Sequence, residues 1–135
     1  MTTLENTKAI VDSYLRGNHM AVLDRLADDV QWQHGSVSDV PWYRERRGKA
    51  EVAEFFASLA DVDFLKWEPK YYFSEGDLAL VLINSDYRVK RNGRRVIYDD
   101  CVLLFRFNPD GKLARFEHKA DLLAGWLAYH DRSID

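Results

Sequence analysis

Two long stretches of apolar residues dominate the second half of the chain. Apolar and aromatic side chains crowd Leu78 to Val89 and again Val96 to Phe107. The break between them, Arg91-Asn92-Gly93-Arg94, carries the Asn-Gly pair that two-residue hairpin turns favour. A second break, Asn108-Pro109-Asp110-Gly111, precedes a third stretch from Leu113 to Ala120. There Pro supplies a fixed φ and Gly the left-handed position of a turn. The pattern predicts a three-stranded antiparallel meander.

Taking Asn92-Gly93 as the whole loop sets Tyr87 opposite Tyr98, Asp86 opposite Asp99, Asn84 opposite Cys101 and Leu82 opposite Leu103. Alternation then gathers Leu80, Leu82, Asn84, Asp86, Asp99, Cys101, Leu103 and Phe105 on one face. In the third strand Ala114, Phe116, His118 and Ala120 join them, with His118 beside Cys101. The other face holds Val81, Ile83, Val102, Leu104, Tyr87 and Tyr98, and the apolar patch of Val81, Ile83, Val102 and Leu104 is expected to be the outer face through which two copies pair. A bulge shifts the third strand by one residue and exchanges these sets.

The first half reads as helical. Ile10, Val11, Tyr14 and Leu15 repeat at helical spacing from about Leu4 until Gly17. Asn18 can cap a second helix whose stripe is Val22, Leu23 and Leu26. Val30, Trp32 and His34 alternate with Gln31 and Gln33, which predicts a short strand, and 35–41 reads as loop. Beyond Gly48, Val52, Phe55, Phe56 and Leu59 mark an amphipathic helix. Phe64 to Phe73 is aromatic and β-prone, with Pro69 pointing to an edge strand or a bulge. Leu122, Leu123, Trp126 and Leu127 predict a terminal helix that Asp121 caps. Helices and strands are thus segregated. That predicts one α+β domain over residues 1–135, a curved, mainly antiparallel sheet with the N-terminal helices on its concave face. The cone so formed is a natural small-molecule site.

Composition narrows the partners. With 47% hydrophobic and 13% aromatic residues the chain is globular, and a net charge of −3 with dispersed basic residues speaks against nucleic acid. No apolar run approaches the roughly 20 residues of a membrane helix. One cysteine makes no internal disulfide and no signal-peptide core opens the chain, so the cytoplasm is expected.

The stretches Leu26-Ala27-Asp28-Asp29-Val30-Gln31-Trp32, Pro41-Trp42-Tyr43 with Arg47-Gly48-Lys49 and Val52-Ala53-Glu54-Phe55-Phe56, and Leu104-Phe105-Arg106-Phe107 with Asp110-Gly111-Lys112-Leu113 resemble, in order and spacing, the nuclear transport factor 2-like superfamily. The likeness is to its SnoaL-like and ketosteroid-isomerase-like branch. It implies a cone-shaped pocket and frequent homodimers, and a range of functions from isomerases, cyclases, dehydratases and epoxide hydrolases to non-catalytic binders. In ketosteroid isomerases a first-helix tyrosine holds the substrate oxygen, a place that Tyr14 takes. Their general base, an aspartate, aligns with His34, and their protonated oxyanion-hole aspartic acid aligns with Leu103. The acid/base aspartate of SnoaL-like cyclases aligns with Asp121. Epoxide hydrolases of the fold place an acid close to His118, but their aspartate-arginine-aspartate triad has no counterpart.

Candidate chemistry follows from both readings. His118, His34, Tyr14 and Asp121 are the candidate catalytic residues, the histidines moving protons and Tyr14 holding an oxygen. Trp32, Phe56, Leu103 and Phe116 would form an apolar wall, and Asn84, Asp86, Asp99 and Cys101 its polar end. Carboxylates there would hold His118 near neutrality against the effect of burial. Each has a plainer alternative: His118 as a satisfied core histidine, Tyr14 as core, Asp121 as a helix cap, Asp86 and Asp99 as the wet end of a hairpin, Cys101 as packing. No metal-ligand spacing and no phosphate-binding glycine loop occurs, so no cofactor is expected. The expectation is acid/base chemistry on an apolar, oxygen-bearing small molecule. The alternative is a non-catalytic ligand-binding or dimerisation module.

Overall fold

The computed structural model describes residues 1–35 and 39–133. Helix α1 (Thr3–Leu15) starts on a capping box in which Thr2 Oγ1 accepts from the Glu5 amide and the Glu5 carboxylate accepts from the Thr2 amide. Asn18 caps α2 (His19–Asp24) by accepting from the Ala21 amide at 3.1 Å. The helical stripe expected to run through Leu26 stops early. Leu26 already opens strand β1 (Leu26–Gln33), paired in parallel with Leu113, and the Leu113 amide donates to the Arg25 carbonyl. Sheet pairing claims the residue that helical spacing alone assigned to α2.

A short 3-10 helix (Pro41–Tyr43) carries Trp42 and Tyr43 inward, and part of the expected loop before it, 36–38, lies outside the described residues. Strand β2 (Arg46–Arg47) leads into α3 (Gly48–Ser58), which buries Val52, Phe55 and Phe56 as its spacing predicts. Then come β3 (Val62–Glu75), β4 (Leu78–Val89), β5 (Arg95–Phe107), β6 (Leu113–Lys119) and α4 (Leu122–Tyr129). The six strands form one sheet in the order β2-β1-β6-β5-β4-β3, antiparallel except for β1 with β6. Strand β3 is an edge and breaks register between Pro69 and Tyr71, both of which Pro69 announces. The α+β fold with a curved mixed sheet and helices over its concave face is as expected.

Two details of the meander differ from the expected register. The hairpin turn takes four residues, Lys90 to Gly93: the Val89 amide donates to the Arg94 carbonyl and the Gly93 amide to the Val89 carbonyl, each at 2.8 Å. In this longer turn Asn92 Oδ1 accepts from the Arg94 amide at 3.0 Å, and its Nδ2 donates to the Ala128 carbonyl at the end of α4 at 2.8 Å. That change keeps every side chain on its expected face. The second does not. A bulge at Asp99-Asp100 lets Ser85 pair with Tyr98 but Ile83 with Cys101. Asp100 adopts a left-handed φ of 54°, and its amide is held by Asn84 Oδ1 at 3.0 Å.

The bulge joins the two sets that unbroken alternation kept apart. Val81, Ile83, Ser85, Tyr87 and Tyr98 face inward together with Cys101, Leu103 and Phe105, whereas Leu80, Leu82, Asn84, Asp86, Val102 and Leu104 turn to the convex side. The apolar outer face expected from Val81, Ile83, Val102 and Leu104 is therefore corrected: Val81 and Ile83 are fully buried. Its actual members are Leu80, Leu82, Val102 and Leu104, flanked by exposed Tyr71 and Phe73 on β3.

Candidate active site

The concave face encloses two adjoining lobes. The first is lined by Ile10, Val11 and Tyr14 of α1, Val22, Trp32, His34, Phe55, Trp67, Leu103, Phe105, Phe116 and His118. The second is lined by Trp42, Tyr43, Leu59, Val62, Phe64, Ser85, Tyr87 and Tyr98, and shares Tyr14, His34, Phe55, Trp67 and His118 with the first. Each leaves about 40 Å³ for the centres of water molecules, room on the order of three waters. An open groove of about 360 Å³ beside Leu15, His19, Phe64 and Leu65 meets both lobes at Tyr14 and Trp67, whose rings lie 4.8 Å apart. Among the described residues, no Lys, Arg, Asp or Glu side chain lines either lobe.

Strand alternation builds the first lobe. Trp32 on β1 sits beside Phe116 on β6 in parallel register, and their rings stack at 4.2 Å. His34 follows β1 and His118 lies two residues beyond Phe116, so the same face carries both imidazoles. Their rings stack at 4.6 Å and 16°, with Phe55 stacked on the far side of His34 at 4.3 Å. Burial pushes the His118 pKa down to about 4. His34 is held well below the usual histidine range, first by burial and then by the adjacent His118 and Arg46. Both rings are neutral at pH 7. The buried Nδ1 atoms of His34 and His118 and the indole nitrogen of Trp32 have no hydrogen-bond partner among the described residues.

Cys101 orients His118. Its Sγ lies 3.3 Å from His118 Nε2 and 3.5 Å from the Lys119 carbonyl, and burial raises the thiol to about 12, so it keeps its proton. A carbonyl only accepts, so the thiol donates to Lys119, and Sγ accepts from Nε2–H. His118 Nδ1 is left with the lone pair of a base. The Tyr14 hydroxyl makes no hydrogen bond to any described residue, and burial raises its pKa, so it keeps a proton free to donate.

The structure thus brings His34, His118, Tyr14, Trp32, Leu103 and Phe116 to one cavity, with Cys101 behind His118. Phe56 packs outside the lining, against His19 at 4.3 Å. Asp121 is a helix cap, accepting from the amides of Leu123 and Ala124 at 3.0 and 3.3 Å. Asn84, Asp86 and Asp99 are corrected as a polar end of the pocket: they sit outside the lobes, where Asn84 serves the bulge and Asp86 pairs with Arg95. With those carboxylates outside, nothing holds His118 near neutrality, and burial decides its titration.

The tyrosines were missed. Tyr43 Oη lies 3.1 Å from that of Tyr87 and 2.5 Å from that of Tyr98, and Tyr98 donates to the Asp121 carbonyl at 2.8 Å. The Asp99-Asp100 doublet, which interrupts the alternation of Val96, Tyr98, Cys101 and Leu103, is the sequence signal for this arrangement.

Comparison with known proteins gives the same architecture. The model of the SnoaL-like domain matches residues 7–116. An NTF2-like protein of unknown function from Burkholderia pseudomallei superposes with a TM-score of 0.82 at 22% identity, over 95% of this chain and 98% of that one. TerC, co-crystallised with polyporic acid, superposes with a TM-score of 0.80 at 20% identity, over 95% and 98%. An LEH-like epoxide hydrolase of M. tuberculosis gives 0.70 at 14% identity, over 96% and 90%. No functionally curated protein matches the chain.

Proposed function

The chain belongs to the SnoaL-like domain family, and from that membership together with its cavity we propose that it is a small-molecule enzyme working by proton transfer on a neutral, apolar, oxygen-bearing substrate. The reading rests on the stacked, carboxylate-free pair His34–His118, whose buried Nδ1 atoms lack partners. Leaving a buried polar atom unpaired costs about 1–3 kcal/mol. A cone serving only as a core would fill these positions with apolar rings.

The chemistry follows from the protonation states. Neutral His118 takes a proton from a carbon next to the substrate carbonyl through Nδ1, while the Tyr14 hydroxyl donates to the oxygen on which charge develops. The resulting imidazolium lies 4.6 Å from His34. Like charges at that distance oppose each other in a dry site, so the pair carries one proton at a time and His34 stays neutral. Low basicity in the resting state favours prompt return of the proton to another atom of the substrate, which is isomerisation, cyclisation or dehydration according to the substrate. TerC with polyporic acid and the epoxide hydrolase-like neighbour are in keeping with a small organic ligand. The open groove at Tyr14 and Trp67 supplies the entrance.

Proton–deuterium exchange tests this reading. In heavy water the wild-type protein should accelerate exchange of the α-protons of cyclohexanone, followed by NMR, and His118→Leu should return the rate to that of buffer. Exchange no faster than buffer with wild type would favour the non-catalytic binding module.

A second copy of the chain is the proposed partner. Leu80, Leu82, Val102, Leu104, Tyr71 and Phe73 form a contiguous apolar strip on the convex face, the kind of patch that monomers rarely leave open. Light scattering should give twice the 15.8 kDa chain mass, and Leu82→Lys should halve it. A wild-type monomer at micromolar concentration sinks this assignment.

A further inference from the structure

The second lobe holds polar chemistry that the proton transfer does not use. Tyr43, Tyr87 and Tyr98 form a chain of hydroxyls, and one end of it is anchored: Tyr98 lies 2.8 Å from the Asp121 carbonyl. A carbonyl has no hydrogen to give, so Tyr98 must donate to it. Tyr98 has no second proton, so the 2.5 Å contact with Tyr43 is made by the Tyr43 hydroxyl. Tyr43 is then spent too, and the 3.1 Å contact with Tyr87 is made by the Tyr87 hydroxyl. The carbonyl at one end thus orients all the protons, and Tyr87 turns only lone pairs to the lobe. Burial raises all three phenols, and for Tyr43 and Tyr98 the neighbouring Tyr87 adds to it, so none becomes a phenolate at neutral pH.

Beside this end stands Ser85, 4% exposed, whose hydroxyl makes no hydrogen bond to any described residue, and the Trp42 indole nitrogen on the same wall is buried without a partner among them. Polar groups left unpaired on the wall of a cavity mark a place where a ligand atom belongs. Among the described residues, no Lys or Arg side chain lines this lobe to meet an anion.

We infer that the second lobe is a subsite for a hydroxyl group, and that the ligand is a neutral molecule carrying a hydroxyl in addition to the carbonyl held at Tyr14. The ligand hydroxyl donates to Tyr87 and pairs with Ser85. A carbonyl at the same place can accept from Ser85 or from the unpaired Trp42 indole nitrogen, but it brings no hydrogen to the Tyr87 lone pairs and is held more weakly than a hydroxyl, which answers both. This assignment rests on the cavity being the ligand site, as in the reading above, but it does not require turnover.

The test compares 4-hydroxycyclohexanone with cyclohexane-1,4-dione, which share a ring and one ketone and differ in the second oxygen. Affinities are read from chemical-shift titrations of the isotope-labelled full chain. Wild type should bind the hydroxyketone about tenfold tighter, the ratio that one good hydrogen bond supports. Tyr87→Phe should bring the ratio close to one while leaving the weaker affinity for the diketone unchanged. Tyr98→Phe carries the sharper expectation. With the anchor removed, Tyr43 is free to donate to Tyr87, Tyr87 can donate into the lobe, and diketone affinity should rise. Equal affinities in wild type overturn the inference, as does a preference that survives both Tyr87→Phe and Ser85→Ala. If the hydroxyketone is preferred but no α-proton exchange is catalysed, the subsite stands and the acid/base reading falls. If neither compound perturbs the resonances of either lobe, both fall.

Discussion

The two lobes of the cone have the same free volume and share a wall of Tyr14, His34, Phe55, Trp67 and His118, yet their hydroxyls and their nitrogens are treated differently. In the second lobe the tyrosine hydroxyls satisfy one another and end on a backbone carbonyl. In the first lobe and on the shared wall, the Trp32 indole nitrogen and the Nδ1 atoms of His34 and His118 are packed between rings with no partner among the described residues, whereas of the second lobe's own side chains only the Trp42 indole nitrogen is left so. The contrast separates organisation from reactivity. A closed network is stable and directional, so it can read a ligand group. An open set of nitrogens is costly to keep and therefore available to react.

The largest effect should come from breaking the wall of the first lobe. Phe116 is 5% exposed, stacks on Trp32 and stands edge-on to Phe105. Phe116→Ala should destabilise the fold by about 3–5 kcal/mol in urea unfolding. Acid should act on the same lobe. His118 titrates near 4 when folded and near 6.5 when unfolded, so the unfolded chain binds the proton first as pH falls. Stability should thus be complete above pH 6.5 and lost toward pH 4, by about 1.4 kcal/mol per pH unit across that window. The lowered His34 adds to the loss in the same direction. A flat stability profile from pH 7 to pH 4 would contradict the burial of the pair.

Breaking the closed network should cost less than emptying the wall. Tyr43→Phe strands the hydroxyl of Tyr87 and removes the donor to Tyr98, a loss of about 1–3 kcal/mol in thermal or urea unfolding. Smaller still is the effect of removing an orphan. His118→Leu deletes an unpaired nitrogen and the weak bond to Cys101 while keeping an apolar side chain, so stability should stay within about 1 kcal/mol of wild type. Proton exchange should nevertheless stop. A large loss of stability in this variant would make His118 a structural residue. Smallest is Asp86→Asn on the convex face, which should leave ligand affinity and exchange unchanged; an effect on either would return that carboxylate to the pocket.

The strands other than β2, the helices, the caps at Asn18 and Asp121 and the edge character of β3 were legible from spacing and from turn residues, because each depends on near neighbours in the chain, whereas the two-residue β2 shows no alternation to read. The histidines were legible in part. Alternation within β6 puts Phe116 and His118 on one face whatever the partner strand, and it does the same for Trp32 and His34. What failed was the polar end. Asn84, Asp86 and Asp99 were assigned inward because alternation was carried unbroken through β5, and the bulge at Asp99-Asp100 reversed it. The turn failed for a different reason, since Asn92 is claimed by the end of a helix 36 residues away.

By itself, then, the chain determined which residues alternate, where elements start and stop, and which family the order of its motifs resembles. All of these are properties of a few consecutive residues. Only the tertiary structure decided which face of β4 meets which face of β5, and hence that tyrosines rather than aspartates line the cone. One left-handed residue, Asp100, held by the Asn84 side chain across the sheet, exchanges the faces of everything beyond it. The same structure decided that the histidines are neutral, because their titration depends on how completely the helices and the sheet exclude water from them.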